Sequence, residues 1–281
     1  MLCCSAQIRS AWEDPERTLE RSEECFSRAA RAGAALIAFP EQFATGWDPC
    51  STKHAGDTTG TIVTGLRELA KKHGIAVIGS FREIFSPKPR NTVIAIDQNG
   101  GILATYAKIH LFTPGHENQA FTPGTGLGTF TLEGVKVGLA ICYDLRFPDL
   151  FQLYRREGIH AVIVPAAWPE SRLRHWELFI QSRAAENQLY VAGVNTSGTT
   201  PVDRYAGGSL TADPQGAIIA QAGTGPELLY YEIDPRKVER TRQDFPVEND
   251  RKDILYDSLR KPRQDEQPVL STLSYMYPEN Q

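Results

Sequence analysis

The sequence predicts an α/β fold: a mixed β-sheet with helices packed outside it. Three observations predict this. Short apolar runs rich in Val and Ile recur along the chain, as strands require. Helical patterns fall between several of them, so βα units alternate. Two turn signatures, DQNGG at Asp97–Gly101 and DPQG at Asp213–Gly216, join neighbouring runs directly and mark paired strands.

The strand runs, in order, are Ala34–Phe39, Ile75–Phe81, Thr92–Asp97, Val135–Ile141, His160–Pro165, Leu189–Asn195, Ser209–Ala212, Ala217–Ala220 and Glu227–Ile233. The long runs are apolar without alternation, which suits strands buried on both faces. Helices are expected over Pro15–Ala32, Thr61–His73, Pro148–Glu157 and Arg174–Gln188. The first starts near Asp14 and ends at Gly33; the second ends at Gly74; the third opens on proline and ends at Gly158. From Pro235 onward the chain is polar and Pro-containing, which reads as a surface or partner-wrapping tail.

Bulk properties bound the function. The 281 residues carry 41% hydrophobic and 23% charged residues, enough for a sizeable core. A net charge of −4 offers no footprint for nucleic acid or an anionic membrane. No apolar run reaches membrane-span length, and the N-terminus lacks the pattern of a signal peptide. The five cysteines fit no metal or disulfide spacing, so a reducing cytoplasm is the expected location. Cys3 and Cys4 are adjacent, so a strand could not point both into one core.

Four residues carry possible chemistry. Glu41 follows an apolar strand, where open α/β sheets place ligands. Desolvation there would raise its pKa toward a general-base value; the alternative is a glutamate turned to water. Lys108 lies among Tyr106, Ile109, Leu111 and Phe112, as a snorkelling edge residue or a buried cation. Glu117 sits in the loop PGHENQAFTPG. Cys142 ends the run VKVGLAIC, is followed by Tyr143-Asp144, and Pro148 then opens a helix. Such a strand–turn–helix elbow exposes a side chain and brings backbone N–H groups near it. A small inert core thiol is the competing reading.

The phrases LIAFPE, YAKIHLF, LAICYDLRFPDL and HWELFIQSRAAENQLYVAG, in this order, resemble the nitrilase superfamily of carbon–nitrogen hydrolases. The resemblance runs from the first strand to about Pro235. It implies a four-layer αββα sandwich, one domain over 1–281 with 236–281 as a C-terminal tail. It implies a homodimer or larger, formed through the helices after the nucleophile and the tail. It also implies roles: Glu41 as general base, and Cys142 as the nucleophile that forms a thioester and releases ammonia. Lys108 and the Tyr143 N–H would serve as oxyanion donors, and Glu117 would orient substrate or Lys108. No cofactor and no metal are implied.

Within that superfamily, AAWPESRLRHWELFIQSRAAENQLYVAGVN with CYDLRFP is similar to the omega-amidase branch, which acts on 2-oxoglutaramate- and succinamate-like acids. The branch acting on deaminated glutathione shares CYDLRFP and HWE; aliphatic amides, N-carbamoyl compounds and nitriles stay open. Cys-Tyr-Asp argues against nitriles, because true nitrilases tend to carry Cys-Trp-Glu. A substrate carboxylate needs a cation. Arg146 is a candidate, since Arg grips a carboxylate with two donors; pairing with Glu186 is the alternative. Arg172, Arg174 and His175 are further candidates, and Tyr143, Trp168 and Trp176 are candidate pocket walls. Three rival readings are a Cys–His–Glu amidotransferase using His175-Trp176-Glu177, a metal hydrolase built on His110, His116 and Glu117, and a non-catalytic scaffold.

Overall fold

Cys3 and Cys4, adjacent on strand β1 (Leu2–Gln7), are both fully buried. Neighbours on a strand point to opposite faces, so β1 has packed matter on both sides. In the computed structural model, which describes residues 1–260, Cys3 joins a core between two sheets and Cys4 joins a core between a sheet and helices. Burial holds both thiols up at about 12, so neither is reactive at neutral pH.

The same alternation runs through the whole first sheet. After β1 come helix α1 (Pro15–Arg31), β2 (Leu36–Ala38), α2 (Thr61–His73), β3 (Ala76–Glu83), β4 (Arg90–Ile96) and β5 (Ile102–Ala107). Leu36, Ala76, Ile78, Val93 and Ala95 face inward with Cys3. Ile37, Val77, Ile94 and Ile96 face α1 and α2 with Cys4. Asp14 caps α1 by accepting from the Arg17 N–H at 3.1 Å. Gly74 ends α2 in the left-handed conformation.

The chain then makes the short helix α3 (Glu117–Ala120) and builds a second sheet. Its elements are β6 (Gly128–Leu132), β7 (Val135–Leu139), α4 (Pro148–Arg156), β8 (Ala161–Ala166), α5 (Leu173–Asn187) and β9 (Tyr190–Asn195). A small hairpin, β10 (Ser197–Thr199) and β11 (Arg204–Ala206), precedes β12 (Leu210–Ala212) and β13 (Ile218–Gln221). Strand β14 (Glu227–Glu232) returns to pair with β1. Helix α6 (Pro235–Asp244) follows. The sheet orders are β14-β1-β2-β3-β4-β5 and β13-β12-β9-β8-β7-β6. Each has three parallel central strands, β1-β2-β3 and β7-β8-β9, with antiparallel strands at its flanks. Helices α4 and α5 cover the second sheet with Tyr154, Trp176 and Ile180. A Cβ on Gly193 would lie 2.3 Å from Trp176, so glycine lets α5 dock closely. The result is the four-layer αββα sandwich.

The expected runs and helices all form, with ends shifted by a few residues. The sequence reading lacked β1, β6, β10, β11, α3 and α6, and it gave β5 no bounds. Strand β1 reads LCCSAQ, without the Val and Ile that signal a strand.

The chain divides into two compact units, Met1–Gln243 and Asp244–Gln281. Most of α6, at the start of the expected tail 236–281, therefore belongs to the first unit. There Val238 is fully buried and Arg242 donates to the Ile159 carbonyl at 2.7 Å. The second unit contains α7 (Asp253–Arg260), with Arg251 paired to Asp253 at 3.0 Å. The rest of the expected tail, 261–281, lies outside the described residues. Among the described residues, no helix is long and apolar enough to cross a membrane.

Candidate active site

Strand direction gathers the site. Strand β2 ends at Ala38 and β7 at Leu139, and Glu41 and Cys142 each follow three residues on. Strand β4 is antiparallel to both β3 and β5, so β5 delivers Lys108 to the same edge as Glu41. The first residues of β4 lie at that edge too, and the Lys108 N–H donates to the Asn91 carbonyl at 2.8 Å. This is the carboxyl edge of the parallel strands, where such sheets bind ligands.

The Lys108 ammonium is fully buried between two buried carboxylates. Its Nζ donates to Glu41 Oε1 at 2.8 Å and to Glu117 Oε2 at 2.9 Å and Oε1 at 3.2 Å. Glu117 is no solvated loop residue. His116, in the left-handed conformation at φ 62°, turns the chain so that Glu117 points inward, where the Phe112 N–H donates to it at 2.6 Å. Asn91 donates to both carboxylates, to Glu41 at 2.7 Å and Glu117 at 2.9 Å. The Ala167 N–H, just past β8, donates to Glu41 Oε2 at 3.2 Å.

Burial opposes the Lys108 charge, but Glu117 and then Glu41 outweigh it and raise its pKa. Burial raises the Glu41 carboxyl, and Lys108 restrains that rise. Cys142, hydrogen-bonded to Glu41 and beside the Ala167 backbone, is pushed well up by burial and by the Glu41 charge. At neutral pH the arrangement therefore sets a neutral thiol beside the Glu41 carboxyl.

Cys142 has φ 45°, a left-handed conformation that costs a non-glycine residue about 1–3 kcal/mol. Asp144 holds this corner. Its fully buried carboxylate accepts from the Ile141 N–H at 3.0 Å, the Tyr106 hydroxyl at 2.8 Å and the His110 N–H at 2.9 Å. Tyr106 and His110 flank Lys108, so one carboxylate ties the cysteine corner to the lysine strand.

Cys142 and Lys108 line a cavity of about 200 Å³. That is small beside ordinary ligand pockets of roughly 300–1,000 Å³. Trp47, Phe112, Tyr143, Trp168 and Tyr205 wall it, and Arg146 and Arg172 line it as well. The Arg146 guanidinium lies 4.9 Å from the Trp168 ring centre and 5.2 Å from that of Phe179. Neither arginine has a carboxylate partner among the described residues. Glu186, the alternative partner for Arg146, pairs instead with Arg183 at 2.9 Å.

Of the substrate-binding candidates, Tyr143, Arg146, Trp168 and Arg172 reach the cavity. His175 does not: it is exposed on α5 beside Phe179, and Arg174 is exposed next to it. Period 3.6 turns both away from Trp176, which is buried and donates to the Gly208 carbonyl. The amidotransferase-type pairing of His175 with Cys142 therefore does not form. The metal alternative does not assemble either. Glu117 is turned to Lys108, His110 to Asp144 at 2.8 Å and His116 to Gln119.

Sequence reasoning missed Asn91, Asp144, Trp47, Phe112 and Tyr205. Asn91 had a signal: it shares the inward face of β4 with Val93 and Ala95, where a polar residue needs partners. Asp144 carried none beyond its position next to the elbow.

An αββα sandwich with a glutamate, a lysine and a cysteine gathered at one buried sheet edge is the architecture of the nitrilase superfamily. The family model described as carbon–nitrogen hydrolase matches residues 3–243. The chain is 32% identical over 252 residues to the 2-oxoglutaramate amidase of Bacillus subtilis (strain 168), covering 89% of this chain and 97% of that one. It is 35% identical over 249 residues to the omega-amidase NIT2 of Homo sapiens, covering 83% and 89%. The crystal structure of Saccharomyces cerevisiae Nit3, a member of branch 10 of the nitrilase superfamily, superposes with a TM-score of 0.80 at 30% identity, covering 88% and 94%. This chain belongs to the carbon–nitrogen hydrolase family of the nitrilase superfamily, and it is a hydrolase acting on amide C–N bonds.

Proposed function

We propose that this enzyme is an omega-amidase-type thiol amidohydrolase. It releases ammonia from the terminal amide of a small acid, of the 2-oxoglutaramate or succinamate kind. The observation that carries this reading is the cavity: a Glu–Lys–Cys group is gathered at it, and two arginines without carboxylate partners line it.

Glu41 takes the thiol proton as Cys142 Sγ attacks the amide carbon. The Lys108 ammonium and the Tyr143 N–H stabilise the oxygen that becomes negative. Glu41 returns the proton to the leaving nitrogen, so ammonia departs and a thioester remains on Cys142. A water, deprotonated by Glu41, then attacks the thioester, giving the carboxylic acid and the free thiol. Glu117 keeps Lys108 charged and aimed. Arg146, with Arg172, grips the substrate's own carboxylate, and Tyr143 and Trp168 pack its short chain.

A cavity of about 200 Å³ favours a compact acid over deaminated glutathione. The relatives named for 2-oxoglutaramate and omega-amidase activity support the same choice. We place the enzyme in a reducing cytoplasm, consistent with the five free cysteines. We also propose a homodimer through α4 and α5, where Leu153 and Leu178 are exposed.

The test is ammonia release from open-chain 2-oxoglutaramate, succinamate, deaminated glutathione, butyramide and a nitrile, with Cys142→Ala as the blank. Turnover confined to the first two substrates and abolished in the blank is expected. Full turnover by Cys142→Ala would overturn the mechanism. Butyramide hydrolysed as fast as succinamate would overturn the substrate class.

A further inference from the structure

We propose that Asn91 is a positioning residue that fixes which oxygen of Glu41 acts as the base, and that Ser80 sets the orientation of Asn91. This deepens the Glu–Lys–Cys reading above and rests on it.

Asn91 is fully buried on β4 and does not line the cavity, so it touches no substrate. Its amide nitrogen has two hydrogens, and each meets a carboxylate: Glu41 Oε1 at 2.7 Å and Glu117 Oε1 at 2.9 Å. The opposite orientation would set the amide oxygen against two anions. Ser80, also fully buried, supports the observed orientation from the other side. The Gln42 N–H donates to the Ser80 hydroxyl at 3.0 Å, so the hydroxyl's own hydrogen is free to donate onward. It does so to Asn91 Oδ1 at 3.4 Å. Gln42 directly follows Glu41 and has φ 46°, so the relay starts from the same corner that presents the base.

The two oxygens of Glu41 are not equivalent. Oε1 accepts from both Asn91 and Lys108. Oε2 accepts from the Ala167 N–H at 3.2 Å, and Ala167 also neighbours the Cys142 sulfur. With Oε1 held by two donors, Oε2 is the oxygen left to receive the thiol proton. Asn91 thus fixes the carboxylate's rotation and favours its ionised form, because donors to an anion stabilise it. The ionisable groups facing Glu41 are Lys108 from the end of β5, Glu117 from α3 and Cys142 from the elbow, with the Tyr205 hydroxyl farther off.

The experiment compares wild type, Asn91→Ala and Ser80→Ala by two pH profiles. One is kcat/KM for succinamate; the other is alkylation of Cys142 by iodoacetamide, read by mass spectrometry. Losing a donor to the carboxylate raises the pKa of the base, so the acid limb of both profiles should move up, by about one pH unit for Asn91→Ala. Its kcat should fall roughly 10–100-fold with KM little changed. Ser80→Ala should shift both limbs the same way by less. Lower activity with both limbs unmoved would mark Asn91 as merely structural and overturn the proposal. If Asn91→Ala does not fold, Ser80→Ala decides by the same criterion. Cys142→Ala separates the two levels: its retaining turnover would sink the parent mechanism. An inactive Cys142→Ala beside an unshifted Asn91→Ala would sink this proposal alone.

Discussion

Replacing Lys108 by methionine removes the cation set between two buried carboxylates. In the intact site its Nζ lies 2.8 Å from Glu41 and 2.9 Å from Glu117, with all three side chains fully buried. Deleting one member of such a group costs about 3–5 kcal/mol, because the charges left behind are neither solvated nor paired. At about 2 °C per kcal/mol for a long chain, Tm should fall by roughly 6–10 °C at neutral pH. The loss also has a pH signature. Burial already raises Glu41 in the intact protein, and removing the ammonium takes away the largest restraint on that rise. A carboxyl whose folded pKa exceeds its unfolded value of about 4.3 stabilises the fold when protonated. That stability is present at low pH and is lost as pH rises through the raised folded pKa, by up to about 1.4 kcal/mol per pH unit. The deficit of Lys108→Met relative to wild type should therefore shrink on acidification. Circular-dichroism melts of both proteins from pH 5 to 8 measure this. Adding Glu117→Gln removes one stranded charge and should return part of the Tm but none of the turnover. A deficit that stays constant across this range, or one below about 1 kcal/mol, would refute the reasoning.

In the wild-type enzyme, kcat/KM should fall on acidification with a midpoint above the ordinary carboxylate value of about 4.3, because burial raises the base; a midpoint below 4 would exclude Glu41 from that role. Arg146→Met should raise KM for succinamate roughly 10–100-fold while leaving kcat near wild type, as expected for a contact made equally in the bound and transition states; an unchanged KM would remove Arg146 from substrate binding. Asp144→Asn should lower both Tm and kcat, since it weakens the grip on the Tyr106 hydroxyl and the strained Cys142 corner together; wild-type kcat would show that the corner holds itself. Gly124→Ala should destabilise by about 1–3 kcal/mol and slow turnover, because a Cβ there would lie 2.1 Å from the Ala107 carbonyl, beside Lys108; an unchanged melt would mean that the loop yields freely.

The sequence by itself determined the alternation of strands and helices, the turns, and the placement of Glu41 and Cys142 after apolar runs. For Glu41 and Cys142 only that placement was legible, because a strand's end is a local property; it left a Glu41 turned to water open, and the tertiary structure buried it. The elbow after Cys142 was legible from a strand, a turn and a proline for the same reason. Lys108 was legible only in its apolar setting, which did not separate a snorkelling cation from a buried one. The tertiary structure decided that, because only the sheet edge shows two carboxylates meeting the ammonium. It also turned Glu117 from a loop residue into a buried partner, gave Arg183 the glutamate that Arg146 lacked, and left His175 outside the cavity. Strand β1 escaped notice because its residues are small and both its faces are covered, so neither composition nor alternation marks it. Asn91, Ser80 and Asp144 stayed hidden for a related reason. Each acts through hydrogen bonds to residues distant in the chain, and such bonds depend on which strands lie side by side and which face turns inward. Periodicity shows that a strand has two faces, but only packing shows what each face meets.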